Sequence, residues 1–174
     1  MTDIIRVFVQ IALLKRGPQD LPVSRTLLVL TVCAYAGLTA LVNDLLVSQG
    51  TSSSPLPLAA EVVFTLVWYA ALLTLLGRRE RFVQTACAIF GVQTLLMQPL
   101  LAWVWLVRRF GQDAIWQLPI GVAGLAVGIW MVAANSHVVK AALEFSTAVS
   151  VGLVILEIAC GQLLLFTLFL PSPG

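Results

Sequence analysis

Residues 148–170 read AVSVGLVILEIACGQLLLFTLFL, an apolar run with one charged side chain, Glu157. Coiled as an α-helix at 1.5 Å per residue, a run of this length reaches about 35 Å, enough to cross a hydrocarbon core of about 30 Å. Helix is the only open choice there. Lipid offers no water to satisfy a free sheet edge, whereas a helix closes its own backbone hydrogen bonds. Four more runs have the same character, at 26–47, 59–76, 82–107 and 115–134. The expected fold is therefore all-α, a polytopic membrane bundle of about five transmembrane helices forming one membrane domain over residues 1–174.

Composition agrees with that reading. Of 174 residues, 60% are hydrophobic and 10% charged, with a mean hydropathy of +0.99. A soluble domain carries about 25% charged residues, and a small one leaves much of its surface in water. The net charge of +2 gives no basic field for nucleic acid. Cys33, Cys87 and Cys160 are odd in number, lack CxxC spacing and sit in apolar runs, so they read as small buried hydrophobes.

The connections are polar and rich in helix breakers. They are Gln49–Pro57, the charged turn Arg78-Arg79-Glu80-Arg81 after Gly77, Arg108–Asp113, and Asn135–Glu144 before the last span. Ahead of the first span, residues 3–14 (DIIRVFVQIALL) are too short to cross and are flanked by Arg6, Lys15 and Arg16. They read as an amphipathic helix at the membrane interface, with those three cations meeting lipid headgroups. Asp3 and Arg6 interrupt this segment and no small-residue cleavage site follows, so it is expected to be retained rather than removed as a signal peptide. Gly17-Pro18-Gln19-Asp20-Leu21-Pro22 then forms a rigid turn, and Ser24 is placed to cap the first span.

Lysine and arginine orient the chain. With the N-terminus inside, one face holds Arg6, Lys15, Arg16, Arg25, Arg78, Arg79, Arg81 and Lys140, and the other only Arg108 and Arg109. The positive-inside rule then expects a cytoplasmic N-terminus and a periplasmic C-terminus in a bacterial inner membrane. Trp103, Trp105 and Trp116 flank the Arg108-Arg109 pair as an interfacial aromatic belt would.

Glu157 is the residue most suggestive of chemistry. It falls near the midpoint of its span, where an ionisable group costs roughly 3 kcal/mol to insert, and no Lys or Arg lies at comparable depth. Gln93, Gln98 and Tyr69 are the expected hydrogen-bond partners, forming a candidate intramembrane polar site. Helical spacing also aligns small and polar residues. The stripes are Cys33, Gly37, Ala40 and Asp44; Glu61, Thr65 and Tyr69; Gln84, Cys87, Gly91, Thr94 and Gln98; and Ser146, Ser150, Glu157 and Gly161. Gly124 and Gly128 form GxxxG, with Gly121 nearby. Such stripes let membrane helices approach closely where lipid supplies no hydrophobic drive, so Gly37, Gly91, Gly124, Gly128 and Gly161 are expected packing positions.

Other polar residues read more plainly. Asp44 and Glu61, with Asn43, have the donor types of a hard-cation site but read first as interfacial carboxylates. His137, Lys140 and Glu144 form a solvated stripe at the inner end of the fourth helix. Pro99 reads as a packing kink in the third. HExxH, GxSxG and a phosphate-binding glycine loop are all missing from the sequence, so neither an enzymatic activity nor a metal or cofactor is expected.

The basic stretch running into GPQDLP (15–22), the five apolar spans and HVVKAAL (137–143) resemble small uncharacterised proteobacterial inner-membrane proteins. Their five-span plan is similar to that of Yip1-domain proteins. The resemblance implies that plan and an inner-membrane location. Eukaryotic Yip1 proteins have a long cytosolic N-terminal region, bind small GTPases and carry a DLYGP-type motif that this chain does not match, so no functional residue carries over. Two functions are expected from the residues themselves. One is a non-enzymatic accessory, scaffolding or assembly subunit that works by helix–helix association in the bilayer, with itself or with another membrane protein. The other is a small-solute or proton-coupled transporter or channel subunit using Glu157.

Overall fold

The computed structural model describes residues 2–47 and 55–169. Six helices make up the described chain: α1 (Thr2–Ala12), α2 (Arg25–Val47), α3 (Leu56–Leu75), α4 (Phe82–Phe110), α5 (Ala114–Leu143) and α6 (Thr147–Phe169). Five of them, α2 to α6, are long and apolar enough to cross a membrane. The Gln49–Pro57 loop falls largely outside the described residues, as does Leu170 at the end of the last expected span.

The termini of these helices follow local chemistry. Ser24 Oγ accepts the backbone N–H of Leu27 at 3.3 Å, and α2 starts there. Pro57 is tolerated in the first turn of α3, where its missing N–H is not needed. Gly77 adopts φ +70° after α3, a left-handed step open to glycine at little cost, and the 3-10 turn Arg79–Arg81 leads into α4.

One connection differs from expectation. Asn135–Leu143 is not a linker but the last part of α5, which ends only at Glu144 in a left-handed conformation. Val138, Val139, Ala142 and Leu143 are buried, and this apolar face carries the helix past the polar residues between. Only Glu144 to Ser146 separate it from α6.

Helix α4 is the centre of the bundle, packing on α1, α2, α3 and α5, while α6 rests on α3 and α5. Residues Thr85 to Val92 are buried on every side of α4, because α1 and the Pro18–Asp20 turn cover the face the other helices leave open. The N-terminal segment is tied down by bonds to its carbonyls. Trp130 Nε1 donates to Ala12 O at 2.9 Å, Gln84 Nε2 donates to Leu21 O at 2.7 Å, and His137 Nε2 lies 2.9 Å from Arg16 O. Phe8 and Ile11 are buried in protein, with Phe8 lying against Gly91 where any larger residue would collide. Arg6, Lys15 and Arg16 are exposed. Helix α1 is thus an integral layer of the bundle as well as an amphipathic element.

Candidate functional site

Two carboxylates meet a common pocket where α3, α4 and α6 converge. On α3, Glu61, Thr65 and Tyr69 recur every four residues and share one face; Thr65 and Tyr69 are buried and Glu61 is half-buried. On α6, Glu157 projects into the bundle and is itself buried. Tyr69 Oη donates to Glu157 Oε2 at 2.5 Å, and Tyr35 Oη, from α2, donates to Glu61 Oε1 at 2.7 Å. Glu61, Thr65, Gln93, Glu157 and Gln162 line a cavity of about 100 Å³ together with Phe64, Ile158 and Leu165. The volume holds several water molecules or one small cation with its waters.

Each tyrosine has one hydroxyl proton to give, so one oxygen of each carboxyl is engaged and the other is left for the pocket. The lining thus combines two carboxyls, two amides and a hydroxyl, all hard-oxygen chemistry apart from the amide N–H groups. No Lys or Arg is among the residues lining it. An ionised carboxyl in such surroundings requires a counter-charge or a proton.

The expected partners of Glu157 divide. Tyr69 bonds it, Gln93 shares its cavity, and Gln98 is exposed on another face of α4. The Gln84–Gln98 stripe serves the N-terminal segment instead, through Gln84 on Leu21 O, Cys87 Sγ 3.9 Å from Ser24 O, and Gly91 under Phe8. Glu61, with Asn43 and Asp44, reads from the sequence as an interfacial carboxylate. It faces Tyr35 and the Glu157 pocket, whereas Asn43 is exposed and the side chain of Asp44 lies outside the described residues. The missed signal is the step Thr31, Tyr35, Thr39, Val42 on α2, all buried, with the Tyr35 ring tilted against Phe90 at 5.4 Å between centroids.

The packing glycines also divide. Gly124 receives the Trp103 indole, 2.7 Å from where a Cβ would stand, and Gly161 receives Phe64 at 3.3 Å. Gly37 and Gly128 meet nothing within 4 Å among the described residues. For Gly37 this is a correction, since α2 turns its Tyr35 face inward and leaves the Cys33–Gly37–Ala40 stripe exposed. Trp103 packs within the protein, its Nε1 donating to Ile120 O at 2.9 Å between α4 and α5. Trp105 and Trp116 do flank the turn, Trp105 edge-on to Phe110 and Trp116 tilted against it. Cys33 is exposed rather than buried.

At the opposite, basic end of the bundle, Glu144 is held between two arginines. Arg78 Nη2 donates to its Oε2 at 2.7 Å and Arg81 Nη1 to its Oε1 at 2.8 Å. These bonds, Arg78 first and Arg81 next, hold the Glu144 carboxyl below its ordinary value of 4.5. Lys140 Nζ donates to Thr147 Oγ1 across the α5–α6 turn, so the stripe read as simply solvated is a set of cross-links. No protein-family model, curated protein or solved structure matches this chain.

Proposed function

We propose that this chain is a multi-pass inner-membrane protein that binds and passes protons or a small monovalent cation through the Glu61–Glu157 pocket. The observation that carries the reading is the convergence of two carboxyls from different helices, each on a tyrosine, in one cavity of the bundle. Ionisable groups inside a membrane are costly, and their usual use is an ion or proton path. The Glu61–Thr65–Tyr69 face spans eight positions, about 12 Å of helix, and leads from the start of α3 to Glu157. We take the basic end, with Lys15, Arg16, Arg78, Arg79 and Arg81, to face the cytoplasm; the pocket then loads from the periplasmic side.

The test is flux in liposomes reconstituted with purified protein and a pH-sensitive dye. Glu157→Gln keeps shape and hydrogen bonding but does not titrate, so it should abolish pH-dependent flux while the protein still folds. If Glu157→Gln and Glu157→Leu carry wild-type flux, or wild-type liposomes are no leakier than empty ones, the reading is lost.

A specific observation favours a second reading, an accessory subunit acting by helix association. Gly124, Gly128, Val132, Ala133 and Val151 line an apolar groove of about 580 Å³ between α5 and α6. Gly128 presents open backbone in it among the described residues, the geometry a partner helix uses. The oligomeric state in mild detergent, with and without Gly128→Leu, tests it.

A further inference from the structure

We propose that the cleft at the basic end, between the Pro18–Asp20 turn, the start of α4 and the end of α5, is a binding site for a phosphate group, with Glu144 as its built-in competitor. The cleft measures about 400 Å³ and is lined by Gln19, Arg81, Gln84, Thr85 and Glu144 among others. That is ample for a phosphate with part of what it is esterified to.

Glu144 occupies the position of a bound anion. Its two oxygens take one charge-assisted bond from each of two guanidinium groups, which is how arginine pairs hold phosphate oxygens. Two arginines against one carboxylate leave positive charge unmatched, and Arg78 Nη1 is buried without a hydrogen-bond partner among the described residues. Arg78 is not among the residues lining the cleft, so its part there is to hold Glu144 and to add positive charge. Arg81 also donates to Ala142 O at 3.2 Å, so its guanidinium is fixed at the cleft wall whichever anion it meets.

The rest of the lining fits the same ligand. Thr85 spends its donor on Arg81 O and Gln84 one of its two N–H groups on Leu21 O, so Arg81 and the exposed Gln19 amide are the freest groups to select an anion. The Glu144 side chain is 55% exposed and stands on a left-handed, non-glycine residue, φ 57°. It is therefore a ligand that solvent already reaches and that a stronger one can displace. A phosphate has more acceptor oxygens than a carboxylate and up to twice its charge. The cleft also sits among the cations that would face anionic headgroups. A phospholipid headgroup and a free phosphate share this chemistry.

The experiment uses the full chain purified in a zwitterionic detergent, titrated separately with inorganic phosphate and with phosphatidylglycerol, and with phosphatidylcholine as the control lipid. Binding is read by thermal shift and by lipid retained in native mass spectrometry. Glu144→Gln, which removes the competitor but not the arginines, should bind about ten-fold tighter, the gain of roughly one charge-assisted bond. Gln19→Glu, on an exposed turn and outside every brace named above, should bind about ten-fold weaker. If phosphatidylglycerol shows this order, the ligand is a headgroup; if only inorganic phosphate shows it, the ligand is soluble. Equal affinity in all three proteins overturns the proposal. So does a Glu144→Gln protein that remains folded, as Gln19→Glu should, yet binds more weakly than wild type.

Discussion

The phenol of Tyr69 and the carboxyl of Glu157 are joined at 2.5 Å across 88 positions of sequence, and both are buried. Tyr69→Phe removes the donor but leaves the buried acceptor without it, a change that costs about 1–3 kcal/mol. Replacing both partners by apolar groups, as Tyr69→Phe with Glu157→Leu, restores most of that loss, because no polar atom is then stranded. Denaturant unfolding in mixed micelles of the two single variants and the double variant measures the coupling. Additive losses would mean that the pair contributes nothing as a pair.

Phe8 and Gly91 define the seat of α1. A methyl at Gly91 runs into the Phe8 ring, and overpacking of this kind costs about 1–3 kcal/mol. Gly91→Ala is therefore expected to lift α1, speeding hydrogen exchange over Val7–Ala12, and Phe8→Ala in the same chain relieves the clash. Gly37 has open space around it among the described residues, so Gly37→Ala should leave exchange unchanged and gain up to about 1 kcal/mol of helix propensity. Equal effects at the two glycines would refute the seating of α1.

These two sites show how far the sequence carries the structure and where it stops. Span number is legible because bilayer thickness sets the length of an apolar run. The pairing of Tyr69 with Glu157 is legible because few polar groups share that depth. The rotation of α2 about its axis is not: nearly all its faces are apolar, so the stripe at Cys33–Gly37 and the stripe at Tyr35–Thr39 both satisfy the same packing rule. Choosing the first hides Tyr35, and with it the placement of Glu61. The end of α5 is hidden for a related reason. Asn135 and Ser136 look like a linker, yet both are buried, and only the fold around Val138 and Val139 makes that segment helix.

Glu144 gives the molecule an acid-sensitive contact. Its folded pKa is depressed by Arg78 and Arg81, so its contribution to stability is fully present above the ordinary value of 4.5. It disappears as pH falls through the folded value, when the carboxyl must accept a proton. The difference in thermal midpoint between wild type and Glu144→Gln should therefore be constant from pH 7 to about pH 5 and shrink below it. Because the side chain is exposed, added salt should also reduce it. A difference that grows on acidification would reverse the assigned sign.

Gly124 and Gly128 belong to one GxxxG pair but have separate roles. Gly124 is filled from within the chain by Trp103, whereas Gly128 opens on the groove between α5 and α6. A leucine at 124 must displace the indole and its bond to Ile120 O, so Gly124→Leu is expected to destabilise the monomer by about 1–3 kcal/mol. A Cβ at 128 meets nothing within 4 Å among the described residues and the groove beyond it is open, so the folded monomer should tolerate a leucine there. If a second helix packs at the groove, Gly128→Leu should shift the protein to the monomer in sedimentation equilibrium in mild detergent, because close helix approach depends on the missing side chain. Unchanged association in Gly128→Leu would assign that open backbone to lipid and leave the polar pocket as the better account of the bundle.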